Sequence, residues 1–364
     1  MENNIAENAS TTSAYSCKGC GAPLVYKPGT DTLVCNHCGS TQSIPKEDKV
    51  LIEELDFEKY IANFETENFS TTKVVTCSNC KATPTVDENL KSMLCPYCGS
   101  PLIETNVSQE RYIKPGYVSP FQISKNQVNG ILAKWAKGLW FAPNKLQRAI
   151  LSPLNLHGIY TPYWTYDANT TTDYTGERGD AYYVTVGSGE NKRQERRVRW
   201  RYVSGRITNF YDDVLIPASR TLDMKLLSGI NKWDTKNIVK INDSYLAGFI
   251  TEKYQIDLRE GFGYARQVIE DSERSNVRYD IGGDEQRIKS MDIQYSDIKF
   301  KHLLLPIYIS AFQYKNKLYT FYINGFTGHI SGKRPYSAIK ITFATIAALI
   351  IIGTIIYFFN KYGE

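Results

Sequence analysis

The sequence predicts an α+β protein, and three observations lead to this prediction. A cysteine pattern of the form C-x2-C, fourteen residues, C-x2-C occurs twice in the N-terminal third of the chain. Residues 157–217 are rich in Tyr, Thr, Val and Trp, a composition typical of antiparallel strands. The C-terminal segment Ile341–Phe359 is apolar and carries no charge.

The composition is that of a folded protein with two or three domains. The chain has 364 residues, of which 42% are hydrophobic and 13% aromatic. Residues 1–14 contain no basic cluster and no apolar run, so we expect a disordered N-terminus that is not a secretory signal, and cysteines that stay reduced. Of the formal charge of +5, residues 1–105 account for −6 and the rest of the chain for +11. The two parts should therefore have different partners.

All eight cysteines belong to the repeated pattern. The first copy contains Cys17, Cys20, Cys35 and Cys38, and the second contains Cys77, Cys80, Cys95 and Cys98. Four disulfides are the alternative, but paired C-x2-C turns in a reducing compartment favour a metal, because two such turns complete a tetrahedral shell of four thiolates. We therefore predict two structural Zn²⁺ ions in two rubredoxin-like zinc ribbons, residues 15–43 and 74–105. Four thiolates leave no coordination position open for catalysis.

An acidic linker, residues 44–73, is expected between the two ribbons. Its residues Leu51, Leu55 and Tyr60 are spaced loosely as on one face of a helix, which predicts a short helix within the linker.

Residues 106–335 are predicted to form a mainly antiparallel β domain with a few helices. Ser124 can cap a helix whose apolar residues from Val128 to Leu139 recur at helical spacing and which Pro143 ends. A second helix is predicted from Leu258 to about Ser272. Breaks between strands are predicted at "TGERGD" and "GSGENK", and "KNK" is predicted to join a hairpin.

The C-terminal segment, residues 338–360, is predicted to be a transmembrane helix. Nineteen uncharged residues span about 28 Å at 1.5 Å per residue, enough to cross the hydrocarbon core. Lys333, Arg334 and Lys340 precede this segment, and Lys361 follows it with Glu364 as an offset. Because basic flanks remain in the cytoplasm, we expect a single-pass protein of the inner (plasma) membrane with its N-terminal bulk in the cytosol.

One basic strand is the candidate anion-binding site. In an extended chain Arg197, Arg199 and Arg201 share one face, with Val198, Trp200 and Tyr202 on the other. One interpretation is that the arginine face is exposed to solvent and prevents the strand from pairing with another edge strand. The alternative interpretation is that this face binds lipid headgroups, nucleic acid or an acidic partner, which could be the acidic N-terminal arm of the same chain. The zinc-loaded ribbons would carry net negative charge, so we expect them to bind proteins rather than phosphates.

No catalytic pattern stands out, and we expect the chain not to be an enzyme. "GHISGKRP" has one residue too few between its glycines for a phosphate loop and has Arg334 where Ser or Thr is needed. Acids could still converge on an active site, although loop ends explain most such residues. The candidates are Asp167, Asp212, Asp213, Asp280 and Asp284.

Six segments carry a resemblance to a known family: "GIYTPYWTYD", "VRWRYVSGRITNFYDDVLIPAS", "YLAGFITEKYQIDL", "YDIGGDEQRI", "FKHLLLPIYISAFQY" and "FYINGFTGHISGKRPYSAIKI". Together they resemble bacterial membrane-anchored TFIIB-type zinc-ribbon proteins, often labelled primosomal protein N′ (replication factor Y)-like. That label implies a DNA helicase, but the chain has no nucleotide-binding loop and no acidic helicase box. A looser similarity to zinc-ribbon proteins that accompany SPFH-domain or phage-shock-type membrane scaffolds implies an adaptor with such partners.

These features together predict a non-catalytic adaptor or scaffold that is held at the membrane and recruits protein partners through its ribbons. Two ribbons on one arm could bind a partner at two points, and the second contact would gain affinity from its high effective concentration. The alternative hypothesis is a nucleic-acid-binding protein of DNA replication, primosome-like, which acts at the membrane through Arg197, Arg199 and Arg201.

Overall fold

The computed structural model has an α+β fold with mostly antiparallel sheet, as predicted. It describes residues 15–45, 52–62, 69–85, 92–103, 107–143, 145–146, 150, 154–315 and 317–362. The expected disordered N-terminus, residues 1–14, lies outside the described residues, as do Leu51 and Asn316.

Three long antiparallel strands dominate the fold. They are β10 (Leu154–Val186), β11 (Arg193–Pro217) and β14 (Glu285–Tyr314). The main sheet has the order β11-β10-β14-β15-β16, with β15 at Lys317–Asn324 and β16 at Ile330–Gly332. Because β11 pairs only with β10, it forms one edge of this sheet among the described residues.

The other strands are short. They are β1 (Leu24–Tyr26), β2 (Thr32–Cys35), β3 (Thr41–Ser43), β4 (Leu55–Asp56), β5 (Phe69–Val75), β6 (Ser92–Leu94), β7 (Pro101–Ile103), β8 (Val107–Ile113), β9 (Tyr117–Val118), β12 (Val239–Lys240) and β13 (Ile250–Thr251). Strands β1–β3 form a small sheet around the first cysteine group, and β6 pairs with β7 beside the second. The helices are α1 (Phe57–Ala62), α2 (Lys125–Gly138), α3 (Met224–Ser228), α4 (Asp243–Leu246), α5 (Leu258–Ile281) and α6 (Ala338–Tyr362).

Helix α2 begins where its cap was predicted but ends early. The Ser124 hydroxyl accepts a hydrogen bond from the Gln127 backbone, and the Gln127 side chain accepts one from the Ser124 backbone, which is a capping box. The helix ends at Gly138 rather than at Pro143. Glycine is a poor helix former, so the last turn stops there.

Helix α5 extends well beyond its predicted end near Ser272, to Ile281. The inward positions after Ile269 are Glu273, Val277 and Ile281, all of them buried. A charged residue at one of these positions interrupts the apolar periodicity, so the sequence pattern ended too soon. The helix stops at Gly282, whose φ of 64° lies in the left-handed region.

The break predicted at "TGERGD" does not occur, because β10 runs straight through it. Gly176 and Gly179 are needed there for close packing rather than for a turn. A Cβ at Gly176 would lie 2.6 Å from the Arg287 carbonyl oxygen, and one at Gly179 would lie 3.0 Å from the Trp200 ring. The break predicted at "GSGENK" is confirmed, since it connects β10 to β11, and "KNK" lies at the predicted hairpin between β14 and β15.

The predicted linker contributes to the body of the protein. Strand β4 pairs with β14, and a short helix, α1, follows it. Of the residues predicted for that helix, Tyr60 lies in α1, whereas Leu55 lies in β4. Phe57 at its start is buried, and Tyr60 packs edge-on against the Phe300 ring with centroids 5.1 Å apart. Part of this segment therefore belongs to the hydrophobic core.

Candidate functional site

The first cysteine group is built by two matching turns. In each turn the residue after the second cysteine donates its backbone N–H to the carbonyl oxygen of the first: Gly21 to Cys17 at 2.8 Å and Gly39 to Cys35 at 2.9 Å. Both glycines have φ near 70–75°, as their place in tight turns requires. The Cys17 and Cys38 Sγ atoms lie 3.5 Å apart.

The second group repeats this arrangement. Cys77 Sγ lies 3.6 Å from Cys98 Sγ, and Cys80 Sγ lies 3.5 Å from Cys95 Sγ. One turn differs, because Lys81 occupies the position held by a glycine in the first copy and adopts φ 63°. Its N–H donates to the Cys77 carbonyl oxygen at 2.9 Å, so the turn itself is retained.

The eight thiols therefore form two tetra-cysteine groups that could each hold a metal ion. Within each group the Sγ atoms all lie within 4.8 Å of one another, and all eight cysteines are free of disulfides. A tetrahedral Zn²⁺ with bonds of about 2.3 Å requires sulfur atoms about 3.8 Å apart. The observed spacing fits that shell. In the first group the Ser40 hydroxyl lies 2.9 Å from Cys17 Sγ.

The first cysteine group is packed against the β domain. Tyr26 of β1 donates its N–H to the Ala247 carbonyl oxygen at 2.9 Å, and its ring meets the Tyr245 ring edge-on at 5.3 Å. Gly29 donates to the Phe121 carbonyl oxygen at 2.9 Å. The ribbon residues and the β-domain residues around Phe121 belong to one continuous hydrophobic cluster.

The second group is also packed there, by backbone pairing and one inserted side chain. Thr85 donates its N–H to the Thr251 carbonyl oxygen at 2.8 Å, and Pro84 forms a bridge with Glu252. Tyr97, between Cys95 and Cys98, packs against both the ribbon cluster and a β-domain cluster. Burial raises the pKa of Glu252 to about 7, while its contacts with Tyr97 and Ser219 oppose that shift.

The basic strand alternates in exposure from Arg197 to Arg201, but Tyr202, predicted on the face opposite the arginines, is 69% exposed. The arginines also have acidic neighbours. Arg197, Arg199 and Arg201 are all exposed. Arg197 Nε lies 3.3 Å from a Glu195 oxygen, and Arg201 Nε lies 3.7 Å from an Asp180 oxygen. The face is therefore partly neutralised by the protein itself.

Three of the five candidate acids meet at one point in the sheet. Asp167, Asp212 and Asp213 lie where the register of β10 and β11 shifts at a bulge. The Asp213 N–H donates to Asp167 Oδ1 at 2.7 Å, with Asp213 in the left-handed region at φ 52°. Glu54, which precedes β4 and was missing from the candidates, brings its carboxylate within 4.8 Å of Asp167 and Asp212.

A buried lysine supplies the positive charge in this acidic group. Lys301 Nζ lies 2.6 Å from an Asp213 oxygen and 3.1 Å from a Glu54 oxygen. Burial lowers the pKa of Lys301, but the nearby carboxylates outweigh it and raise that pKa. Burial and the hydrogen bond with Glu54 raise the pKa of Asp167 to about 7. The group resembles an internal ion network that joins the predicted linker to the sheet.

The other two candidate acids have separate structural roles. Asp280 accepts a short hydrogen bond from the Tyr174 hydroxyl, and Asp284 accepts one from the Ala181 N–H at 2.7 Å. They do not join the Asp167 group, so the five acids do not form a single active site. Glu54 could be found from sequence only by knowing that the predicted linker packs against β14.

The chain is similar to the uncharacterized protein YdjG of Bacillus subtilis (strain 168). The two are 25% identical over 337 residues, which cover 90% of this chain and 92% of YdjG. No family model and no solved structure matches the chain. The name of this relative states no activity, so function has to be inferred from the geometry above.

Proposed function

We propose that the chain is a membrane-anchored zinc-ribbon adaptor of the cytosolic membrane face, and that it is not an enzyme. Each cysteine group would hold one Zn²⁺, which supplies a structural cross-link between two turns. Four thiolates in each shell leave the metal closed to substrate. This proposal is in line with the resemblance to membrane-anchored TFIIB-type zinc-ribbon proteins.

Helix α6 supports the anchoring. It is 25 residues long, apolar enough to cross a membrane, and none of its described residues is buried. A core helix would be covered by protein, so this helix needs an apolar environment from outside the chain. Lys333, Arg334 and Lys340 on its N-terminal side favour a cytosolic location for the rest of the protein.

The exposure of the cysteine loops is the observation that carries the adaptor role. The first ribbon packs against the β domain through β1, and the second through Pro84, Thr85 and Tyr97. The exposed loop residues are Lys18, Gly19 and His37 in the first ribbon and Asn79 in the second. A loop held in place by a metal and by a core can bind a partner with little loss of conformational entropy. The ribbons thus would present two pre-organised recognition surfaces on one body.

Nucleic acid is the alternative partner for this chain. Affinity for nucleic acid depends on cations that are free to neutralise phosphates. Arg197 and Arg201 already have acidic neighbours, which favours a protein partner over nucleic acid.

The test is site-specific photo-crosslinking of the full chain in native membranes. A crosslinker placed at His37 or Asn79 should capture a protein, and one at exposed Tyr279 on α5 serves as the matched control. Deleting residues 1–105 is a poorer test, because it would uncover the β-domain core. Adducts that nuclease digests, or no adduct specific to the two ribbon loops, would refute the adaptor role.

The anchor has its own test, in alkaline extraction of membranes that contain the full chain. We expect the protein to stay in the pellet with integral proteins. Release into the supernatant would refute membrane spanning while leaving the ribbon experiment interpretable.

A further inference from the structure

Exposed aromatic side chains surround the start of α6. Trp140 and Phe141 follow α2, and their side chains are 79% and 43% exposed. Tyr336 and Ile339, which lie just before and within the first turn of α6, are 62% and 70% exposed. Large apolar side chains exposed together in this way mark an interaction surface.

Three hydrogen bonds hold these two segments together. The Ser337 N–H donates to the Phe141 carbonyl oxygen at 2.8 Å. Lys340 Nζ donates to the carbonyl oxygens of Trp140 at 3.1 Å and of Ala142 at 2.8 Å. Trp140 and Phe141 are therefore fixed at the level of the first turn of α6, about 200 residues away in sequence.

A shallow groove opens beside this aromatic patch. It has a volume of about 510 Å³ and is lined by Trp135 of α2, by Ile330–Gly332 of β16, and by Lys333, Arg334 and Tyr336. Lys333 Nζ lies 2.6 Å from an Asp223 oxygen, whereas the Arg334 guanidinium stacks over the Tyr336 ring at 5.6 Å. The groove thus combines an aromatic wall with a cation that is exposed to solvent.

The two chain segments that form this surface carry charge of one sign. The sequence contains no Asp or Glu in residues 111–166 or in residues 298–363. These two segments supply α2, the first half of β10, the second half of β14, β15, β16 and α6, and they are joined by the pairing of β10 with β14. These two segments therefore carry a positive surplus, which Asp223 offsets in part at the groove through its ion pair with Lys333.

We propose that this surface, defined by residues 135–141 and 330–340, is a second membrane-contact site that binds the headgroups of anionic phospholipids. The proposal rests on the proposed membrane-spanning role of α6. If α6 spans, Trp140, Phe141 and Tyr336 lie at the depth where aromatic side chains occupy the membrane interface. The exposed side chains of Arg334 and Lys137 would then face the negatively charged cytosolic leaflet.

A bilayer is the occupant that the positions of these residues favour. The hydrogen bonds from Lys340 and Ser337 place the patch directly beside the point where the chain would enter lipid, so a protein partner would compete with the membrane for that space. The absence of acidic residues over both segments matches a surface of anionic headgroups. The contact would hold the β domain close to the bilayer instead of letting it swing on a single helix.

The first experiment measures tryptophan quenching by lipid in the full chain. The protein is placed in nanodiscs that contain phospholipids brominated at shallow acyl positions, with the W140F variant in parallel. Trp135 and Trp140 are the two tryptophans of the five that lie beside the anchor, so W140F should remove about half of the quenched emission. W200F, in the edge strand β11, should leave the quenched emission unchanged. Equal quenching in wild type and W140F would overturn the contact.

The second experiment tests the charge of the lipid. Quenching of wild type should be stronger in phosphatidylglycerol nanodiscs than in phosphatidylcholine nanodiscs, and a K137Q/R334Q variant should lose this difference. Quenching that is independent of the headgroup would overturn the anionic-lipid assignment. All nanodisc samples are first checked for alkaline-resistant insertion, so that failure of the anchor is distinguished from failure of the second contact.

Discussion

The carboxylate of Glu273 in α5 accepts a hydrogen bond from the Thr170 hydroxyl of β10 at 2.7 Å, in a fully buried position. Thr172, Asn209 and Tyr211 donate to the same carboxylate at 2.9–3.0 Å. One acid on the helix is thus matched to four donors on two strands. This network ties α5 to the long part of the sheet.

Removing that acid should destabilise the protein. E273A leaves four donors without this acceptor, of which Thr170 and Thr172 are buried and Asn209 and Tyr211 are half-buried. We expect the free energy of unfolding to fall by about 3 kcal/mol, because each unsatisfied buried group costs roughly 1–3 kcal/mol. E273Q keeps the shape but turns an amide N–H₂ towards donors, so a smaller loss is expected. Thermal unfolding of the full chain in detergent measures both. A Tm for E273A equal to that of wild type would show that the network contributes nothing.

Glycine at position 176 should be required by packing within β10. A methyl group there would meet the Arg287 carbonyl oxygen at 2.6 Å and the Ile281 side chain at 2.9 Å, so G176A should cost about 1–3 kcal/mol. The matched control is G130A in α2, where a Cβ has nothing within 4 Å. That change should stabilise the helix by up to about 1 kcal/mol. Opposite shifts in Tm are expected, and a rise in Tm for G176A would contradict the close contact.

The D167N variant should be more stable than wild type at alkaline pH. Burial and Glu54 raise the pKa of Asp167 to about 7, so the folded protein holds a proton that the unfolded chain releases near pH 4. Wild type therefore loses stability as pH rises from about 4 to 7. Asparagine stays neutral and keeps the acceptor for the Asp213 N–H. The Tm difference between variant and wild type should grow from pH 6 to pH 8.

D173N is the control for the pH dependence of this Tm difference. Arg206 binds Asp173 with two hydrogen bonds of 2.6 and 2.8 Å, and they lower the pKa of Asp173. Asp173 stays charged between pH 6 and pH 8, so the effect of D173N should be constant over this interval. A D167N difference that does not change with pH would show that Asp167 is already ionised at pH 6.

Two metal ions per chain are expected, one in each cysteine group. C35S and C95S should each remove one ion, and H37A should retain both because His37 is exposed and lies outside the donor set. Since apparent binding free energies of structural zinc sites are about 10 kcal/mol or more, each Cys→Ser change should also lower Tm sharply. Native mass spectrometry with elemental analysis measures the stoichiometry. Two ions retained in C35S would refute the first site.

Part of this structure could be predicted from the sequence because it depends on residues that lie close together along the chain. The spacing of the cysteines predicted the two tetra-cysteine groups, because ligand pairs on a C-x2-C turn converge whatever surrounds them. The Ser124 cap and the apolar segment from Ile341 to Phe359 are also local, since each depends on residues within one helix. The α+β class and the hairpin between β14 and β15 follow from composition and turn residues.

The rest was decided by contacts between residues far apart in sequence. Glu54 reaches Lys301 because β4 pairs with β14. The last turns of α5 continue to Ile281 because the strands supply donors for the buried Glu273 and an apolar cluster for Val277 and Ile281. Gly176 is needed because the backbone of β14 approaches β10 closely there, and the chain does not turn at this position. In the sequence, a charged residue or a glycine interrupts the pattern expected of a helix or strand. Only the tertiary structure shows which distant residue it contacts.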